Sequence, residues 1–140
     1  MKKLFLSILL VLSVAVMFAE GKYNIGDIGP GGGIIYYIAE ADNMGYECSE
    51  LLGVATLKNA ESKCRSYKGG GYNDWSLPSL LDLHRIYENL CATGKMIGGW
   101  HWAMATATAN YALKLSDGDQ RDFSAYDYLA VRAVRSFTID

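Results

Sequence analysis

The chain has 140 residues, 51% hydrophobic and 20% charged, with 13 Lys and Arg against 15 Asp and Glu and a formal charge of −2. That length suits one domain with its own core. A weakly acidic balance without any basic block argues against nucleic acid and anionic membrane surfaces as partners.

Lys2 and Lys3 precede an apolar run at 4–18 and then Ala19, the charged, apolar and small-residue pattern of a secretory signal. The run of about 15 residues is shorter than the roughly 20 that a spanning helix needs. No second hydrophobic segment follows, so no membrane span is expected after cleavage. Loss of residues 1–19 leaves one domain at 20–140, and because Lys2 and Lys3 leave with the signal its formal charge becomes −4. The expected location is the periplasm, the cell surface or the exterior of the cell. No cysteine directly follows the apolar run, so the lipid-attachment signal of exported lipoproteins is missing.

Residues 26–33 read Gly-Asp-Ile-Gly-Pro-Gly-Gly-Gly and lead into Ile34-Ile35-Tyr36-Tyr37-Ile38, whose β-branched and aromatic content predicts a strand. A phosphate-binding loop would need Lys and then Ser or Thr after its last glycine, followed by a helix; here Ile34 opens a strand instead. Residues 41–45 predict a turn and 46–51 a return strand carrying Cys48. Leu57, Ala60, Cys64 and Tyr67 then form a helical stripe behind Thr56 as N-cap, with Lys58, Glu61, Lys63 and Arg65 on the other face.

The stretch Gly71-Tyr72-Asn73-Asp74-Trp75-Ser76-Leu77-Pro78-Ser79 ends this helix and starts another. Its glycines can take positive φ, and Pro78 suits the start of a helix. Trp75 is expected to fill the angle between the helices and Asp74 to accept from turn N–H groups, with ligand contact as the alternative reading. Ser79 and Asp82 form an approximate capping box, and Leu80, Leu83, Ile86, Tyr87 and Leu90 supply a buried stripe that ends at 91–94.

Residues 98–115 read as two strands, 116–118 as a hairpin turn, 120–124 as its return strand and 130–137 as the final strand. Arg132 and Arg135 have opposite parity there and should point to opposite faces. Asp117, Asp119 and Asp122 fail the spacing of a calcium loop, which wants Glu at its twelfth position and an entering helix. No metal ion and no cofactor are expected.

Cys48, Cys64 and Cys91 all lie beyond the signal and would meet an oxidising compartment, where one pair and one leftover thiol can form. A Cys48–Cys64 bridge with Cys91 free is the expected pairing, and Cys64–Cys91 is its alternative.

Three features together resemble one bacterial family, the Lcl C-terminal-type domain. They are the 71–79 stretch, Trp102 before paired strands, and the terminal Val131-Arg132-Ala133-Val134-Arg135. The resemblance covers roughly 23–137, and the glycine-rich segment before the first strand is similar to the secreted, multi-paralogue versions of spirochaetes. It implies an α+β, C-type-lectin-like fold: two helices packed on a small, mostly antiparallel, loop-rich sheet. Asp74, Trp75, Pro78, Trp102, Arg132 and Arg135 would be its structural residues.

There are departures from the family. Its tryptophan is usually followed by hydroxyl residues, whereas Trp102 precedes Ala103-Met104-Ala105-Thr106. Many members have a cysteine where this chain has Ala133. The triplets of calcium-dependent sugar sites are missing, so that activity is not implied.

The resulting expectation is a secreted, non-catalytic binding or adhesion module for a protein or polysaccharide. The alternatives are an enzyme on a formylglycine-generating-enzyme-like variant of the fold, or an envelope structural or assembly protein. Against the enzyme, the chain has no Gly-x-Ser-x-Gly elbow, no His-Glu-x-x-His helix, and only His84 and His101 as imidazoles. Lectin-like domains vary their recognition surface between the second helix and the final strand. The resemblance therefore places ligand contact in 94–128, where Trp100, His101, Tyr126, Asp127 and Tyr128 combine flat aromatic surface with polar groups.

Overall fold

The computed structural model describes residues 22–140; the predicted signal segment and its cleavage point lie outside the described residues. The described chain is an α+β fold with two α-helices and two sheets, one of three strands and one of five.

The first sheet begins where the β-branched run was expected. Strands β1 (Ile34–Ala39) and β2 (Met44–Cys48) pair antiparallel, with a register shift between Ile35 and Tyr37. Their connection is a short 3-10 turn closed by Asn43 in the left-handed conformation at φ 55°, which asparagine tolerates better than most residues. Strand β8 (Val134–Thr138) completes the sheet against β2, with Glu47 opposite Arg135. Glu47 and Cys48, consecutive on β2 where its register with β8 is unbroken, are both fully buried, so both faces of this sheet are covered there.

Helix α1 (Leu57–Ser66) buries Leu57, Ala60 and Cys64, as its apolar spacing requires. A 3-10 turn at Gly69–Gly71 follows, in which Gly70 stands at φ 65°. A Cβ on Gly70 would lie 2.6 Å from the Cα of Gly31, so both the backbone angle and the close approach exclude a side chain there. Helix α2 (Leu80–Ile86) opens with a complete capping box: the Ser79 hydroxyl accepts from the Asp82 N–H, and the Asp82 carboxylate accepts from the Ser79 N–H. It continues as a π-helical turn, Tyr87–Cys91, which carries Leu90 into the core beyond Leu83 and Ile86.

The five-stranded sheet contains β3 (Val54–Ala55), β4 (Trp100–Trp102), β5 (Tyr111–Lys114), β6 (Gln120–Asp122) and β7 (Leu129–Ala130), in the order β3-β7-β4-β5-β6. Its single parallel pair is β4 with β7.

The continuous strand expected over 130–137 does not form. Val131, Arg132 and Ala133 cross from one sheet to the other, and Ser49 replaces the ladder: its N–H donates to the Ala133 carbonyl and its Oγ accepts from the Ala133 N–H, both at 2.8 Å. Pairing with a side chain lets the chain turn while its buried backbone groups stay satisfied.

Two apolar clusters result. One packs Leu83, Ile86 and Leu90 from the α2 segment on Tyr36, Cys48, Val134, Leu113 and Leu115. The other packs α1 against Trp75, Leu77, Trp102, Ala112, Val131 and Ala133. Pro78 is buried beside Leu77. Trp102 is fully buried and its indole N–H donates to the Ala55 carbonyl at 2.8 Å. No helix among the described residues is long and apolar enough to cross a membrane.

Candidate functional site

The glycine-rich turn at 29–33 cradles an anion from its own chain. Glu47 is 0% exposed; its carboxylate accepts from the Gly31 N–H at 2.9 Å, the Gly33 N–H at 2.8 Å and Arg135 Nη1 at 2.8 Å. A Cβ on Gly29 would stand 2.8 Å from the Glu47 carboxyl carbon, so the turn can close around the carboxylate only because side chains are absent. Arg135 continues outward: Nε donates to Asp74 at 2.8 Å, and the guanidinium carbon lies 3.7 Å from the centre of the Tyr72 ring. The hydrogen bond from Arg135 is the main cause holding the Asp74 carboxyl below its ordinary value. Asp74 was expected to serve turn N–H groups; its main partner is instead this arginine, 61 residues away in sequence. The network ties the N-terminal turn, the first sheet and the 72–75 turn together, and the buried carboxylate of Glu47 has its counter-charge in Arg135, as a buried charge must.

Arg132 lies between β7 and β8, so the strand parity that was expected to separate it from Arg135 does not apply, but it has partners of its own. Its Nε donates to His101 Nε2 at 3.2 Å and its Nη1 to the Ser49 carbonyl at 3.1 Å. His101 Nδ1 faces the Gly99 carbonyl at 2.9 Å, so that nitrogen carries the proton and the ring is neutral. His101 therefore does not belong to a ligand surface: it is 1% exposed, and a structural acceptor for Arg132. Burial is the main cause lowering its pKa from 6.5 to about 4, and the Arg132 charge adds to it.

This depressed pKa sets a pH dependence. The unfolded chain binds the proton more readily, so the stabilisation is complete above pH 6.5 and falls as pH drops towards 4. With the folded value near 4, the His101 contribution is expected to shrink by about 2 kcal/mol at pH 5. Urea melts of the wild type and of His101→Gln across this range measure it, and an equal acid slope in the two proteins would rule it out.

The cysteines also depart from expectation. Cys48, Cys64 and Cys91 are all unpaired thiols, so the Cys48–Cys64 bridge is absent from the structure. Cys48 sits at the sheet end and Cys64 on the inner face of α1, each with its thiol 3.5 Å from a different backbone carbonyl, Ser49 for the first and Arg132 for the second. Burial pushes both thiols up to about 12, and also raises that of half-buried Cys91, so none is an activated nucleophile.

What does stand free is a short loop before β7. Tyr126 is 85% and Tyr128 71% exposed, on either side of exposed Asp127. The loop is held by its own backbone: the Asp127 N–H donates to the Ser124 carbonyl at 3.0 Å, and the Asp127 carboxylate accepts from the Ser124 N–H at 3.2 Å. The Ala125 carbonyl accepts from the Leu57 N–H, anchoring the loop on the first turn of α1.

Trp100, expected on the same surface, is half-buried instead. Its ring packs edge-on against Phe123 at 5.0 Å, and Arg121 lies 5.2 Å from its centre. Of the five residues expected at the ligand surface, the structure therefore leaves Tyr126, Asp127 and Tyr128 together in the open.

No family model matches the chain, and no curated protein matches it either.

The acidic residues of the 117–122 hairpin close turns. Asp117 accepts from the Asp119 N–H at 2.9 Å, and Asp122 from the Asn110 N–H at 3.0 Å. No cluster of three or more metal-binding side chains occurs among the described residues. Glu47 was missed as a key residue in the sequence. Its available signal was the alternation of Gly29, Gly31 and Gly33, the pattern of a backbone approached closely from one side.

Proposed function

We propose that the chain is an exported, non-catalytic binding module of C-type-lectin-like fold, recognising a protein or polysaccharide at the cell surface or outside the cell. The charged and apolar start of the sequence supports export. Two helices packed on small, mostly antiparallel sheets, together with the 71–79 stretch, support kinship with the Lcl C-terminal-type domains. The observation that carries the reading is the braced 124–128 loop, which presents two tyrosines at 85% and 71% exposure. Large flat side chains on a pre-formed backbone lose little entropy on contact, which is the economy of aromatic recognition surfaces. The buried histidine and the raised thiols fit a binding role better than nucleophilic catalysis.

Protein and glycan arrays probed with the exported chain would identify the ligand. Tyr126→Ala with Tyr128→Ala is expected to weaken binding at least tenfold, as loss of aromatic anchors does, while the melting temperature stays unchanged. Undiminished affinity in a folded double variant would remove the loop from the site, and turnover of an array substrate would overturn the non-catalytic reading.

A further inference from the structure

A cavity of about 260 Å³ lies on the outer side of α1, lined by Glu61 and Arg65 from the helix, Ser76 and Leu77 from the turn after Trp75, and Met104 and Ala105 from the segment after β4. It is distinct from the tyrosine loop, and none of its residues takes part in the Glu47–Arg135 network.

Two opposite charges stand at its rim without using each other. Glu61 precedes Arg65 by one helical turn, a spacing and order at which a carboxylate and a cation attract. Yet among the described residues neither forms an ion pair or a side-chain hydrogen bond, with each other or with Lys58 one turn back. Glu61 is half-buried and Arg65 exposed, so the carboxylate is partly sheltered where the guanidinium is free to reach. The floor is apolar: Leu77 is 4% exposed, and Met104, at 48%, is an unbranched side chain that can adapt to what it meets. Its backbone is fixed, since the Met104 N–H donates to the Pro78 carbonyl at 2.8 Å.

A small cavity with one anion, one cation and an apolar floor is complementary to a molecule carrying the same three features in opposite sense. The volume falls below the roughly 300–1,000 Å³ of pockets that enclose drug-sized ligands and suits an occupant of about one amino acid. We propose that this cavity binds a free α-amino acid with an apolar side chain. Its carboxylate pairs with the Arg65 guanidinium, which offers a bidentate fork. Its ammonium pairs with Glu61, and its side chain lies on Leu77, Met104 and Ala105.

The test uses the isotope-labelled protein, following backbone amide shifts on titration with L-leucine, N-acetyl-L-leucine and L-leucinamide. The first carries both charges, the second only the carboxylate and the third only the ammonium. L-leucine should shift Leu77, Met104 and Ala105 saturably. Each capped form should bind on the order of tenfold more weakly, as expected for loss of one charge-assisted contact.

Arg65→Gln should lower leucine affinity to that of leucinamide while leaving leucinamide unaffected. Glu61→Gln should do the same with respect to N-acetylleucine. Both positions lie on the outer side of α1, and the folding of each variant is to be checked by its melting curve. Absence of saturable shifts with L-leucine would overturn the proposal. So would equal affinity for the capped forms, or discrimination that survives in both folded variants. None of these results depends on Tyr126 or Tyr128.

Discussion

Arg135→Met is expected to destabilise the protein by about 3–5 kcal/mol, because it strands a carboxylate that no water reaches. Glu47 is fully buried, and its side chain meets Arg135 at 2.8 Å with only 5% of the arginine side chain exposed. The two glycine N–H groups would remain, but they bring dipoles rather than a counter-charge.

Asp74→Asn makes the contrasting case on the same arginine. Its carboxylate side chain is 54% exposed, so loss of that ion pair should cost about 0–1 kcal/mol. Adding Glu47→Gln to Arg135→Met should recover part of the loss, since the buried charge disappears with its partner. Urea denaturation of the four proteins measures these differences. An Arg135→Met midpoint no lower than that of Asp74→Asn would show that the buried pair contributes no more than the exposed one.

Trp75→Ala is the second large effect, also about 3–5 kcal/mol, from loss of a fully packed aromatic side chain and the cavity left behind. Trp75 is 2% exposed, packs edge-on to Tyr67 at 4.9 Å, and donates its indole N–H to the Gly69 carbonyl at 3.0 Å. A Cβ on Gly31 would fall 2.8 Å from its ring, so the same side chain holds the glycine-rich turn in place. Trp75→Phe should cost less, because it keeps most of the apolar contact while losing the hydrogen bond. Either loss is a large share of the 5–15 kcal/mol that stabilises a typical domain. Equal melting temperatures for wild type and Trp75→Ala would show that the 69–75 turn does not depend on its tryptophan.

What the sequence determined by itself is local. Leu57, Ala60 and Cys64 of the expected stripe, the Ser79–Asp82 capping box, the strand expected over 34–38 and the burial of Trp75 follow from spacing within one or two turns or from residue type and are found in the structure, whereas Tyr67, the last of the stripe, stands half-buried at the C-cap. Tyr126 and Tyr128 were singled out through the family resemblance rather than through any spacing, and both are exposed.

Tertiary structure alone decided the rest. Glu47 and Arg135 meet across 88 residues, so no window of sequence shows that the acid is buried or that the glycines close on it. His101 looked like a surface residue among aromatics, yet a side chain 31 residues later fixes it as a neutral acceptor inside. The expected final strand splits because Ser49, 84 residues before Ala133, offers its hydroxyl in place of a strand partner. Cys48 and Cys64 are both buried, but on different elements, and burial alone does not bring two thiols together. Local patterns record which face of an element avoids water. Which buried charge, hydroxyl or thiol meets which partner is set only when the chain closes, because an unpaired polar group inside costs more than the backbone distortion needed to pair it.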